Sequence, residues 1–187
     1  AIAHCRSEAE ALELKEALDA RFRECGLELH PEKTKIVYCK DDLRRGNYPY
    51  TSFDFLGFTF RPRRSKSRKG KFFINFSPAV SNKAGKAMRQ KARRWKMHLR
   101  SDKCLEDLSR MFGPTIRGWI NYYGNFYKSA LFPTLRQLNR SLVRWAMRKF
   151  KRLRRHRRRA EYWLGRIAKR QPWLFPHWQV GVRPTAG

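Results

Sequence analysis

Apolar residues recur at three- and four-residue spacing over several stretches of this chain, and at two-residue spacing over one. Leu14, Ala17, Leu18, Phe22 and Cys25 share a helical face behind a Ser7-x-x-Glu10 capping box, and Gly26 supplies the stop. Leu27–Leu29 and Lys35–Cys39 read as short strands about a His30-Pro31 turn. In Ser52–Phe60, Phe53 and Phe55, then Phe58 and Phe60, alternate, with Gly57 placed for a bulge or a close approach. Lys71–Phe76 is the returning strand beyond a basic loop, Arg61–Gly70. From Ser77-Pro78 onward the period is helical. The spacing predicts helices over about 81–99, from Ser101 to Met111, from Pro114 onward, over about 131–159 and over 161–178. Leu135, Leu138, Leu142, Trp145, Met147 and Leu153 are available for burial in the longest of them.

The helix from Pro114 is the one the others are organised around. Phe112, Ile116, Trp119, Ile120, Tyr123, Phe126 and Tyr127 form one apolar and aromatic stripe, and Arg117 and Asn121 share the other face. Gly113-Pro114 should end the helix before it. Gly118 costs about 1 kcal/mol against alanine inside a helix, which suggests a backbone or ligand close by. The pattern as a whole predicts an α+β chain. A helix with short antiparallel strands occupies 1–76, an all-α bundle 77–178, and a frayed tail 179–187.

Charge divides the chain at nearly the same place. Residues 1–60 hold nine basic and eleven acidic residues, a balance of −2, whereas 61–187 hold 35 basic and four acidic, a balance of +31. Hydrophobic residues at 41% suffice for a core, so the net charge of +29 does not make the chain disordered. Such a field attracts a polyanion, with nucleic acid the first candidate. No apolar run approaches the roughly 20 residues needed to span a bilayer, which sets a membrane aside. Cys5, Cys25, Cys39 and Cys104 are too scattered for a zinc site or disulfide framework, and reduced cytoplasmic thiols are the default. The chain begins at Ala1 and reads as a fragment.

The candidate nucleic-acid contacts are Lys83, Lys86, Arg89, Arg93 and Arg94 on the first bundle helix, and Arg117 and Asn121 on the central one. The run RKFKRLRRHRRRA adds Arg148, Arg152, Arg154, Arg155, Arg157 and Arg158. Cations of this kind hold phosphates, and arginine also stacks on unpaired bases. The bland reading is that they are solvated helix faces. Trp119, Tyr122, Tyr123, Trp145 and Trp173 are either stacking platforms or core.

Three ordered segments, FDFLGFTF, FSPAVSNKAGKAMRQKARRW and RMFGPTIRGWINYY, strongly resemble group II intron reverse transcriptase/maturase proteins. RGWINYY is similar to the signature of their maturase domain, the thumb that follows the polymerase palm. YWLGRIAKRQPWLFPHW resembles the close of that domain, LELHPEKTKIVYC a late palm segment, and FLGFTF the primer-grip strands.

The resemblance implies a palm remnant followed by a basic thumb/maturase bundle. Its partners would be group II intron RNA, a primer–template duplex gripped in part by Gly57 and Phe58, and the palm and fingers upstream. It implies that Lys33 matches a lysine that protonates departing pyrophosphate, although a surface lysine on a turn is the plainer reading. The metal-binding aspartates of the family fall before Ala1, so Mg²⁺ is expected of a full-length polymerase and no cofactor or metal of this chain. Asp41 and Asp42, in the wrong order to replace them, read as loop charges. A ribosomal-type RNA-binding protein explains the charge equally well but not the FLGFTF segment. A reverse transcriptase outside intron biology leaves RGWINYY unexplained.

Overall fold

In the computed structural model, residues 1–186 are described, and they form an α+β chain of two compact units. One comprises Ala1–Phe53 and Phe60–Phe76, the other Asp54–Thr59 and everything from Ser77 onward. The elements are α1 (Glu8–Glu24), β1 (Phe53–Phe55), β2 (Phe58–Lys66), β3 (Phe72–Val80), α2 (Asn82–Arg94), α3 (Leu105–Tyr123), α4 (Phe132–Lys149), α5 (Arg157–Arg170) and the single turn α6 (Pro176–Gln179). Among the described residues no helix is long and apolar enough to cross a membrane.

In the first unit α1 begins as the sequence predicts. Ser7 Oγ accepts the Glu10 N–H at 3.2 Å, and Gly26 follows the helix with φ +71°. Its apolar face is left open, with Leu18 41% exposed, and no described residue of this unit is buried. The two strands expected at Leu27–Leu29 and Lys35–Cys39 are absent. A strand needs a partner's ladder; here the chain turns at His30–Thr34, and Tyr38 donates one isolated bond to the Tyr50 carbonyl at 2.9 Å.

The sheet runs in the order β1-β2-β3. Where one strand with a bulge was expected over Ser52–Phe60, Leu56 (φ +47°) and Gly57 (φ +82°) instead make a two-residue hairpin turn between β1 and β2. Two successive positive φ angles match the right-handed twist of paired strands. The basic stretch expected as a loop is mostly β2, and β3 extends through Ser77-Pro78 to Val80. Helix α2 starts where the spacing places it, with Ser81 Oγ accepting the Ala84 N–H at 3.1 Å, but it ends at Arg94 and not at Leu99.

The second unit is built round α4, whose Leu135, Leu138, Leu142, Val143, Trp145 and Ala146 are all buried. It packs against α2, α5 and a 3₁₀ turn at Met97–Leu99, while α3 packs on α6. Two expected breaks fall elsewhere. Pro114 lies inside a continuous α3 that Cys104, not Ser101, caps, with Asp107 completing the box. A mid-helix proline costs about 3 kcal/mol. Burial of Leu105, Leu108, Phe112 and Ile116 on both sides of it returns roughly 2 kcal/mol each, so the helix persists. Conversely, the long helix expected to reach Arg159 stops at Lys149. A 3₁₀ turn at Lys151–Leu153 and Arg155 at φ +65° reverse the chain, which buries Leu153 and packs Phe150 5.0 Å from Trp163.

The end of the chain, expected to fray, is packed. Val182 and Pro184 are buried, and Gly165 of α5 lies so close to Thr185 that an added Cβ would run into its carbonyl oxygen. That obstacle is backbone, so Gly165→Ala should unseat the C-terminal segment. We expect a loss of about 2 kcal/mol from exposing the apolar contacts, together with fast amide exchange over 182–186. Wild-type exchange there would disprove the packing.

Four groups at the bundle's C-terminal end form a buried polar network. Asn139 Oδ1 accepts from Trp178 Nε1 at 2.9 Å and lies 2.8 Å from His177 Nε2, while Asn139 Nδ2 donates to the Val182 carbonyl at 3.1 Å. An amide oxygen can only accept, so Nε2 carries the histidine proton. Burial lowers the His177 pKa to about 3, and Nδ1 has no partner. The unfolded chain takes up this proton near pH 6.5, the folded one only near 3. Stability from this group is therefore complete above about pH 6.5 and is lost as pH falls through that window, by up to roughly 1.4 kcal/mol per unit. Denaturant melts at pH 7.5 and 4.5 should differ by about 2–3 kcal/mol more for wild type than for His177→Gln. Equal differences would contradict the assignment.

Candidate nucleic-acid interface

Helix α4 buries one face in the core, and its opposite face carries Arg136, Arg140, Arg144 and Arg148, all exposed and each four residues from the next. Like charges at this spacing destabilise a helix by roughly 0.2–0.5 kcal/mol per pair. Among the described residues none of the four has an ion pair, and the acids of this helical unit that do pair are Asp102, with Lys103, and Asp107, with Arg110. Among the described residues these three repulsive steps go without compensation by an acid. The ladder's spacing was legible in the sequence, yet only Arg148 belonged to the expected set.

At the end of the ladder the 3₁₀ turn brings His98 alongside. Burial and the charges of Arg144, Arg148 and Lys96 hold its imidazole below the ordinary range, so it adds no charge near neutral pH. Beyond Lys149 the expected run becomes a corner instead of a helix face. Arg152, Arg154 and Arg155 stand exposed in the connection, and Arg157 and Arg158 open α5, whose first turn holds no acid. Positive side chains at the positive end of a helix are unfavourable by themselves, and an anion there would be held by both. Arg158 also donates to the Tyr162 hydroxyl at 2.8 Å.

On α2, Lys83, Lys86, Arg93 and Arg94 are exposed, opposite the buried Met88 and Ala92. Arg89 is half-buried and donates to the Thr134 hydroxyl at 3.3 Å, which ties α2 to α4. Lys149 is likewise spent within the protein, on the carbonyls of Ser101 and Lys103 at 2.9 and 2.8 Å.

Arg117 and Asn121 lie exposed on the open face of α3. Between them Gly118 has nothing within 4 Å of where a Cβ would stand, so no other backbone of this chain explains it. Gly57 is a turn residue, with its carbonyl 2.9 Å from the Ser81 nitrogen and the Tyr123 hydroxyl 2.6 Å from where a Cβ would sit. Phe58 is 8% exposed, its ring 5.3 Å from Tyr122, 5.2 Å from Tyr123 and 5.6 Å from Phe126. Of the aromatics that sequence left open, Trp145 is core and donates to the Arg100 carbonyl. Trp119 stacks on Trp95 at 5.4 Å, whereas Trp173 and Tyr122 are exposed.

In the first unit Lys33 sits exposed on the His30–Thr34 turn. Asp41 Oδ1 accepts the Leu43 and Arg44 N–H groups and closes a loop. Among the described residues no group of three or more His, Cys, Asp or Glu is arranged to hold a metal ion.

Residues 85–163 match the family model for the group II intron, maturase-specific domain. No curated protein and no solved structure matches the chain. The matched span runs from α2 into α5 and takes in the whole arginine ladder. It supports a group II intron maturase, a function in intron splicing, with intron RNA as the implied partner.

Proposed function

We infer that this chain is the C-terminal part of a group II intron reverse transcriptase/maturase. Its helical unit binds intron RNA and stabilises the RNA fold that splices. In the full protein the same helices serve as the thumb that grips a primer–template duplex, and the first unit is the end of the palm. The observation that carries this reading is the coincidence of the matched segment with the unopposed cations of α2 and α4. The RNA performs the splicing chemistry, and the protein supplies binding and charge compensation in a cytoplasm-like compartment. Polymerisation by a two-metal route needs carboxylates that clamp both ions. The residues present do not fit that centre, so no catalytic step is assigned to them.

Recognition beyond charge falls to Arg117 and Asn121, which flank an unobstructed stretch of α3. Titration against group II intron RNA and a scrambled RNA of equal length, at several salt concentrations, tests this. Wild type should prefer the intron RNA. Arg117→Ala with Asn121→Ala should lose the preference while keeping the salt dependence. Equal affinity of wild type for both RNAs would leave a generic basic protein of ribosomal type.

A further inference from the structure

Beyond Phe60 the hairpin β2–β3 belongs to none of the surfaces described above. Residues 61–71, RPRRSKSRKGK, hold seven cations and no acid, the densest such stretch outside the α4–α5 corner. The structure makes this stretch a ribbon. Its tip closes through Ser67 and Lys71, paired at 2.8 Å, with Gly70 at φ +83° and the Ser67 hydroxyl accepting the Lys71 N–H. A three-residue loop ending in a left-handed glycine is a common hairpin connection, and it sets the register of the two strands.

Strand residues alternate between two faces. One face of this ribbon carries Arg64 and Lys66 from β2 and Phe72 and Ile74 from β3, all exposed. The Phe72 ring is 53% exposed, with the Arg64 guanidinium 4.0 Å from its centroid and the Lys66 ammonium 5.6 Å away. Two cations gathered on a solvent-facing ring, with no ion pair among the described residues, form a flat and positive surface. Asp42 lines the same shallow cleft as Arg64 and Phe72, and its backbone N–H is paired to the Ile74 carbonyl at 3.3 Å.

We propose that the β2–β3 hairpin is a second RNA contact that holds an unpaired nucleotide, its base stacked on the Phe72–Arg64 pair and its phosphates held by Lys66 and the tip residues Arg68 and Lys69. The chemistry selects this ligand. A duplex keeps its bases stacked internally and offers such a ring nothing, whereas a single strand offers a π-face and a phosphate one nucleotide apart. The proposal rests on the reading of the chain as RNA-binding but not on its being a maturase.

The test uses the full chain with a twelve-nucleotide uridine-rich strand and, separately, the same strand annealed to its complement. Phe72→Leu, which keeps apolar bulk and removes the π-face, should weaken single-strand binding about tenfold and leave duplex binding within about twofold. Phe72→Tyr should bind as wild type. Lys66→Gln with Arg68→Gln, which removes two of the phosphate contacts, should lower the slope of log K against log salt by about 1.4 for the single strand. Wild-type binding by Phe72→Leu, an equal loss for both RNAs, an equal loss in Phe72→Tyr, or an unchanged salt slope would each overturn the proposal. Neither RNA contains intron sequence, so this result and the intron-preference titration fail independently.

Discussion

Replacing Arg136, Arg140, Arg144 and Arg148 together with glutamine should weaken RNA binding about a hundredfold near physiological salt and leave the fold no less stable. The first half follows from counterion release. Each phosphate neutralised contributes about 0.7–0.9 to the slope of log K against log salt, so four lost contacts flatten it by about three. The second half follows from geometry. The four guanidinium groups stand four residues apart on one exposed face without acidic partners, so removing three like-charge steps should return about 1 kcal/mol to the helix. The two readouts separate the explanations. A surface that merely solvates the helix would show the stability gain and no binding loss. A structural ladder would show the reverse sign in the melt. Charge reversal at Lys149 is a contrasting control, because that ammonium holds two carbonyls and its loss should lower stability.

Asn139→Ala should be the most damaging single change in the bundle, about 3–5 kcal/mol in a denaturant melt. Asn139 is 7% exposed, and one amide satisfies the Trp178 indole N–H, the His177 imidazole N–H and the Val182 carbonyl. Truncation leaves three buried polar groups unpaired at roughly 1–3 kcal/mol each, less what entering water returns. Total stabilities of 5–15 kcal/mol make such a loss nearly sufficient to unfold the bundle at room temperature. A cost below about 1 kcal/mol would mean that the network is not formed.

Much of this fold can be read from spacing. The stripe Leu135, Leu138, Leu142, Trp145 is buried as its period requires, and α1 begins and ends at its capping residues. The errors have identifiable causes. Leu27–Leu29 and Lys35–Cys39 have the residues of strands, but a strand exists only if another segment pairs with it, and no local pattern records that. Gly113-Pro114 looks like a stop because a helix break is judged locally, whereas four buried side chains decide it. RKFKRLRRHRRRA looks like one helix, yet burying Leu153 and packing Phe150 demand a corner.

The site divides in the same way. Exposure of Lys83, Lys86, Arg93, Arg94, Arg117 and Asn121 could be anticipated from the opposite apolar faces of their helices. That Phe58 is enclosed by three aromatic rings could not, because Tyr122, Tyr123 and Phe126 lie more than sixty residues away along the chain. The network about Asn139 was invisible for the same reason. His177 and Trp178 close an expected helix and Val182 lies on a segment that reads as loose tail, and only the packed structure turns His177 into a buried neutral group.

The central claim is that the helical unit binds group II intron RNA and so promotes its splicing. The direct measurement is the splicing rate of a precursor RNA carrying the intron, at a magnesium concentration too low for the RNA alone, with wild-type chain or the α4 glutamine variant. The account predicts acceleration by wild type that the variant loses and that a scrambled competitor RNA does not abolish. If wild type and the variant leave the rate equally unchanged while both still bind the precursor, the claim is contradicted.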